Sequence, residues 1–147
     1  MKRDTGFTLV EIMVVIAIMA ILSVVVFSNF GPFRMRAYRA AAQAHGSEVL
    51  SAVNAWARNN PASSLSAALS TAGLAAADFS DAPASMPQPS NAYDCSAAGA
   101  IGGYSWSNAD PKTACAVYAD TSAGFESPAV LTWVRYDDEY YLNGARQ

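Results

Sequence analysis

The chain has 147 residues, enough for one globular domain and one further element but too few for two full domains. Apolar residues make up 52% and charged ones 14%, with a formal charge of −3, and an acidic chain of this kind has no general attraction for nucleic acid. The imbalance is uneven. Between Asp4 and Arg34 the only ionisable side chain is Glu11, whereas the remainder is polar, Ala- and Ser-rich sequence of globular type. This pattern describes a soluble domain tethered to a membrane-seeking helix and excludes a chain that is apolar throughout.

The first element is that helix. Ile12 to Phe27 form a run of sixteen residues interrupted only by Ser23. With Phe7 to Val10 and Phe30 added, the stretch is long enough to cross a hydrocarbon core of about 30 Å. A cleaved secretory signal would need a small-residue cut site after the run, and Ser28-Asn29 followed by Phe30-Gly31-Pro32-Phe33 matches one poorly. A plain transmembrane anchor leaves two features unexplained. Glu11 places a carboxylate within the apolar part, at a cost on the order of 3 kcal/mol on insertion scales, so it needs a partner. The head of the chain, Met1-Lys2-Arg3-Asp4-Thr5-Gly6, is a short charged leader that ends in Gly and is followed at once by Phe7.

Gly6-Phe7-Thr8-Leu9-Val10-Glu11 and the long apolar run resemble the processing site of type IV prepilins and related pseudopilins. The resemblance covers residues 1 to about 30. It implies a leader over residues 1–6, removed by a membrane-embedded prepilin peptidase between Gly6 and Phe7, and N-methylation of the new amino terminus of Phe7. It assigns Glu11, with Thr8 beside it, to assembly: the carboxylate neutralises the amino terminus of a neighbouring subunit. The physics agrees, because a buried ammonium and a buried carboxylate are each costly alone and pairing removes most of both penalties. Without residues 1–6 the charge becomes −4, from 7 basic and 11 acidic side chains. Arg34, Arg36 and Arg39 follow the run while Lys2 and Arg3 precede it, so a count of positive charge alone would put the C-terminal part in the cytoplasm. The leader motif and the cysteine pair point to the opposite orientation, with residues 31–147 outside.

Gly31-Pro32 closes the apolar segment, taken as residues 7–30. Proline removes a backbone donor and disfavours helical geometry just before it, so a kink or a short unwound stretch is expected near residues 29 to 32. Many pilins carry a helix-loosening proline earlier. Beyond it, Met35, Tyr38, Ala42, His45, Val49, Val53 and Trp56 recur at intervals of three and four, which predicts an amphipathic helix over 33–58 ended by Asn59-Asn60-Pro61. An unbroken helix over residues 7–58 would be about 78 Å long. His45, on the apolar stripe beside Gly46, is expected to be a partly buried packing residue. Leu65, Leu69 and Gly73 suggest a short surface helix and its stop. Residues 80–92, with Pro83, Pro87 and Pro89, form a loop; its Ser residues, with the Ser and Thr residues of 62–78, suit O-linked sugars.

The remainder predicts strands. Ile101–Ser107 and Ala114–Ala119 flank an Asn108-Ala109-Asp110-Pro111 turn, and Ala129–Tyr136 and Glu139–Leu142 flank a tight hairpin at Asp137-Asp138. The fold class is α+β: a long N-terminal helix packed on an antiparallel sheet of about four strands, which is the architecture the resemblance implies. Gly102-Gly103 is expected to be a bulge or a close backbone contact. Cys95 and Cys115, an even pair in the part assigned outside the cytoplasm, are first a disulfide worth about 3 kcal/mol for a loop of this length. Two buried thiols are the alternative. With one His the cysteines do not complete a tetrahedral metal set, and no metal or other cofactor is expected. Asp137-Asp138-Glu139 is expected to be a solvated turn, with calcium binding as the alternative. Arg34, Arg36 and Arg39 are expected to pair with acids on neighbouring subunits.

The resemblance implies a structural subunit, not an enzyme. It waits as a single-pass inner-membrane precursor and is extracted into an extracellular filament that supports adhesion, twitching motility or DNA uptake. Its partners would be further copies of itself, minor pilins, the prepilin peptidase, the assembly machinery and the inner membrane before assembly. A type II secretion pseudopilin shares the whole N-terminal motif and is the nearest rival. A membrane-anchored exported enzyme or binding protein, with an intact leader, is the rival from another class.

Overall fold

The computed structural model describes residues 7–147. The chain divides after Arg36 into two compact units, the second spanning Ala37–Gln147. Helix α1, Leu9–Asn59, runs through both. It is followed by α2 (Leu65–Thr71), β1 (Tyr93–Asp94), β2 (Gly99–Ile101), β3 (Tyr104–Trp106), β4 (Thr113–Asp120), β5 (Ser127–Val134), β6 (Tyr140–Leu142) and β7 (Ala145–Arg146). The class is α+β, as the sequence predicts.

Helical backbone continues through Gly31 and Pro32, so the unwound stretch considered at this point does not occur. A proline deletes one bond from the ladder, and in a cooperative helix of 51 residues the turns on either side hold it in place. The helix ends where the sequence predicts. Asn60 Nδ2 donates to the Trp56 carbonyl at 2.9 Å and Asn59 Nδ2 to that of Ala55 at 3.0 Å. The first of these bonds serves a carbonyl of the last turn, and Pro61 prevents continuation.

In the second unit the sheet is antiparallel in the order β1-β4-β5-β6-β7, and β2-β3 form a separate hairpin. The sheet thus has five strands where about four were expected. β4 and β5 are its spine, in register from Thr113 opposite Val134 to Asp120 opposite Ser127. One face packs on α1 and α2 through Val49, Val53, Trp56, Leu65, Leu69, Val117 and Val130. The other face is covered by residues 77–92, which bring Phe79, Met86 and Ala92 onto Ala114, Leu131 and Trp133. The Phe79 and Trp133 rings stack with centroids 5.7 Å apart. This double burial explains why β5 is apolar on both faces: an antiparallel strand covered on one side only would alternate.

Three turns differ from the sequence reading. Residues 101–107 are not one strand; Gly102 and Gly103, with φ of 53° and 90°, form the two-residue turn of a hairpin pairing Ile101 with Tyr104. Positive φ at both positions is the primed geometry that glycine adopts freely. Gly102 also abuts Trp56, whose Cδ1 would lie 2.5 Å from an added Cβ. The Asp137-Asp138 hairpin is wider than expected, since pairing resumes only at Trp133 opposite Tyr140. A further hairpin, β6-β7, turns on Asn143-Gly144 (φ 51° and 79°). This Asn-Gly signal stands plainly in the sequence, though the strand after it is only two residues long.

Candidate functional site

The first unit is defined by what its helix leaves uncovered. Leu9–Val26 is long and apolar enough to cross a membrane, and none of it is buried within the chain. Leu9, Ile16 and Leu22 are 76%, 58% and 59% exposed. Eighteen residues at 1.5 Å per residue span about 27 Å, close to the thickness of a hydrocarbon core. A contiguous apolar surface of this size is unfavourable in water and requires lipid or protein against it. Ser23, the polar interruption, donates to the Met19 carbonyl at 2.7 Å, which satisfies its hydroxyl inside the helix.

Thr8 and Glu11 build the start of α1. Thr8 Oγ1 accepts from the Glu11 amide at 3.2 Å, while Glu11 Oε2 accepts from the Thr8 amide at 2.8 Å and from the Thr8 hydroxyl at 3.0 Å. This is a reciprocal capping box, in which the N-cap and N3 residues each serve the other's backbone donor. The T-x-x-E spacing was legible in the sequence, but there Glu11 was assigned only to a neighbour. Within one chain the carboxylate already turns back towards the amino-terminal end and bonds the amide next to Phe7. Both Thr8 bonds fall on Oε2, and Oε1 carries neither. Phe7 itself is 84% exposed. Gly6 and the rest of the leader lie outside the described residues.

In the second unit Cys95 and Cys115 are joined by a disulfide, Cα to Cα 5.0 Å, with 20 residues of sequence separation. It ties the segment after β1 to β4, and both cysteines are buried. The loop-entropy estimate gives about 3 kcal/mol. His45 is more deeply placed than expected, at 6% exposure. Its Nε2 lies 2.9 Å from the Cys95 carbonyl, so it links α1 to the disulfide as a hydrogen-bonding group and not only by packing. Gln43 Nε2 donates to the Gly144 carbonyl at 2.9 Å, and the Glu48 carboxylate accepts from the Ser107 amide and hydroxyl, both at 2.8 Å. Those two bonds hold the Glu48 carboxyl below its ordinary value.

The acidic run Asp137-Asp138-Glu139 is not a bare solvated turn. Arg39 engages Asp137 through two nitrogens, at 2.8 and 3.0 Å, and Glu139 at 2.9 Å. Arg146 reaches Glu139 at 2.5 Å. Arg39 is therefore paired within its own chain, not reserved for acids on a neighbour. Its hydrogen bond to Asp137 is the main cause holding that carboxyl below the ordinary aspartate value. On the far face of the sheet Asp81 accepts from Trp133 Nε1 at 3.0 Å and pairs with Arg135. Among the described residues no group of three or more His, Cys, Asp or Glu side chains is placed to hold a metal ion.

Sequence reasoning also missed Glu126. From the loop before β5, its carboxylate accepts from the amides of Leu65 and Ser66 at 2.5 and 3.2 Å, and from the Ser66 and Ser64 hydroxyls. It thereby caps α2 across 61 residues of sequence, a distance at which no local motif signals it.

Residues 1–27 match the family model described as the prokaryotic N-terminal methylation motif. This motif is typical of type IV pilins and pseudopilins. It supports a structural, pilin-like protein and fits a membrane-anchored precursor that is later assembled into filaments. The match ends within the apolar half of α1 and does not reach the second unit. No curated protein and no solved structure matches the chain.

Proposed function

We propose that this chain is a subunit of a type IV pilus-like filament, made as an inner-membrane precursor and matured by cleavage between Gly6 and Phe7 with N-methylation of Phe7. Residues 1–6 are the leader, 7–30 the filament-core segment and 31–147 the head with its amphipathic helix 33–58. One observation carries the reading: the methylation motif opens a helix whose first part, Leu9–Val26, is apolar and finds no cover among the described residues. A helix of that kind rests in lipid and exchanges lipid for other helices of the same kind when subunits assemble.

The capping box gives Glu11 a specific part in that exchange. Cleavage before Phe7 creates an ammonium one residue away from the amide that Glu11 already holds. In an apolar surround both charges are costly until they meet. Because the bonds to Thr8 occupy Oε2, a second copy's ammonium can bind at Oε1 without undoing the cap. Thr8 thus holds the carboxylate in place, and the ion pair between copies sets their axial register. In the membrane the precursor's head faces away from the cytoplasm, where the Cys95–Cys115 bond forms and persists.

A type II secretion pseudopilin shares the N-terminal chemistry. The disulfide favours the pilus reading, since pseudopilins resembling this N-terminus usually lack one. The head then offers surfaces for adhesion, twitching motility or DNA uptake. Mass analysis of the amino terminus from cells tests the reading. A mature chain beginning at N-methylated Phe7 and recovered in filaments is expected, and a chain that retains Met1 to Gly6 removes it.

A further inference from the structure

Tyr136 combines two unfavourable features. Its side chain is 86% exposed, and its φ of +63° lies where a bulky L-residue is an outlier. The Asp137 amide donates to the Val134 carbonyl at 3.0 Å, closing a four-residue turn. Tyr136 is the third residue of that turn, a place that glycine or asparagine fills without strain when φ is positive. The turn is nevertheless held firmly from two sides. Arg39 of α1 grips Asp137 and Glu139. From the layer on the other face of the sheet, Asp81 pairs with Arg135 and accepts from the Tyr136 amide at 3.3 Å. The sequence thus accepts a conformational cost in order to show an aromatic ring to solvent on an ordered support. Preorganised aromatic anchors of this kind concentrate energy at protein interfaces.

We infer that Tyr136 is a contact between copies of this chain, its ring seated on the helix of a neighbouring copy near Arg36; the inference rests on the filament reading above. Three observations favour a second copy over another occupant. Arg39, which fastens the turn, stands three residues beyond Arg36, in the first turn of the head's own helical segment. The stretch just before it, residues 31–36, adjoins the filament-core segment 7–30. Asp138, exposed beside Tyr136, makes no ion pair among the described residues, and the exposed Arg36 guanidinium lies 6.0 Å from the Phe33 ring and on no acid there. The charge balance is complementary as well: residues 37–147 hold five basic and ten acidic side chains, whereas residues 7–36 hold Arg34 and Arg36 against Glu11 alone. Lipid and nucleic acid are poor occupants for a tyrosine followed directly by Asp137, Asp138 and Glu139, with Arg135 before it paired to Asp81.

The test places a photo-reactive phenylalanine analogue at position 136 in cells that make filaments. Irradiated filaments are expected to yield a dimer of this chain, cross-linked to the second copy within residues 30–40. Filaments that yield no dimer, or that cross-link to a different protein, overturn the inference and leave the filament reading standing. Tyr136→Gly supplies the second arm. Because glycine suits the turn, the head should unfold at a higher temperature while filament yield falls at least fivefold. An unchanged yield, or a head less stable than the wild type, overturns the inference. A wild-type chain never found in filaments overturns the filament reading, and this inference with it.

Discussion

The two units of this chain solve the burial problem in opposite ways. In Ala37–Gln147, α1, the sheet and the covering segment 77–92 enclose three apolar clusters, and charged groups such as Asp81 and Glu139 are paired inside the same fold. Among the described residues nothing in the segment Leu9–Val26 is buried, and its one ionisable group is bonded to its own helix cap. The head carries its solvent-excluding partners with it, whereas the N-terminal segment, on the proposed reading, takes them from lipid or from other copies. Substitutions in the head should therefore register as stability, and substitutions in the N-terminal segment as assembly.

The largest effect that would break this division is at Glu11. On the proposed reading, Glu11→Ala leaves a neighbour's ammonium unpaired in an apolar surround, a loss of about 3–5 kcal/mol per contact. Filament yield should fall by two orders of magnitude or more, while thermal unfolding of the head is unchanged. Normal filament growth in that variant would end the proposed mechanism. Nearly as large is Trp133→Ala, which removes the ring stacked on Phe79 and the donor to Asp81. It should cost about 3–5 kcal/mol in denaturant unfolding, and a loss below 1 kcal/mol would show that segment 77–92 is not a true layer of the fold. Replacing both cysteines by Ser should cost about 3 kcal/mol yet leave cleavage before Phe7 intact. Free thiols in the non-reduced protein would remove this prediction.

Smaller effects sharpen the comparison. Arg39→Ala should lower head stability by about 1 kcal/mol at neutral pH, given that the pair is partly exposed. Its pH dependence is the clearer signature. The folded Asp137 carboxyl lies below its ordinary value, so its contribution is complete above the unfolded value of about 3.9 and is lost as pH falls through the folded one. Acid titration below pH 4 should therefore bring the wild type towards the variant, and a constant gap between them would refute the assignment. Thr8→Ala should be the mildest, costing about 1 kcal/mol of helix capping and lowering filament yield far less than Glu11→Ala.

How much of this was legible in the sequence differs between the units for a physical reason. α1 is written locally: the apolar run, the period through Val49, Val53 and Trp56, and the stop at Asn59-Asn60-Pro61 each signal within a few residues. At Pro32 the helix does not unwind, because a breaker's local preference yields to the cooperativity of the helix around it. In the head, Gly102-Gly103 and Asn143-Gly144 carried standard turn signals, but the strands they join are two or three residues long and too short to show a period. Residues 80–92 read as a loop from their prolines; the burial of segment 77–92 depends on Phe79, Asp81 and Met86 meeting Trp133, which is a tertiary fact. For the same reason the Arg39–Asp137 and Glu126–α2 contacts, each spanning more than 60 residues of sequence, had no local trace. At Glu11 the spacing was visible, yet the carboxylate caps Thr8 within its own chain, whereas the sequence reading assigned it only to a neighbour.

The head's grip on α1 also has a mechanical side. Gln43, His45 and Glu48 bond in turn to the β6-β7 turn, to the backbone at the disulfide, and to the residue that follows β3. A pull along the helix axis would load these three attachments together, in shear, with the Cys95–Cys115 link stiffening the middle one. A subunit drawn from its bilayer by the helix would bring its head along intact, since no single tether bears the whole force.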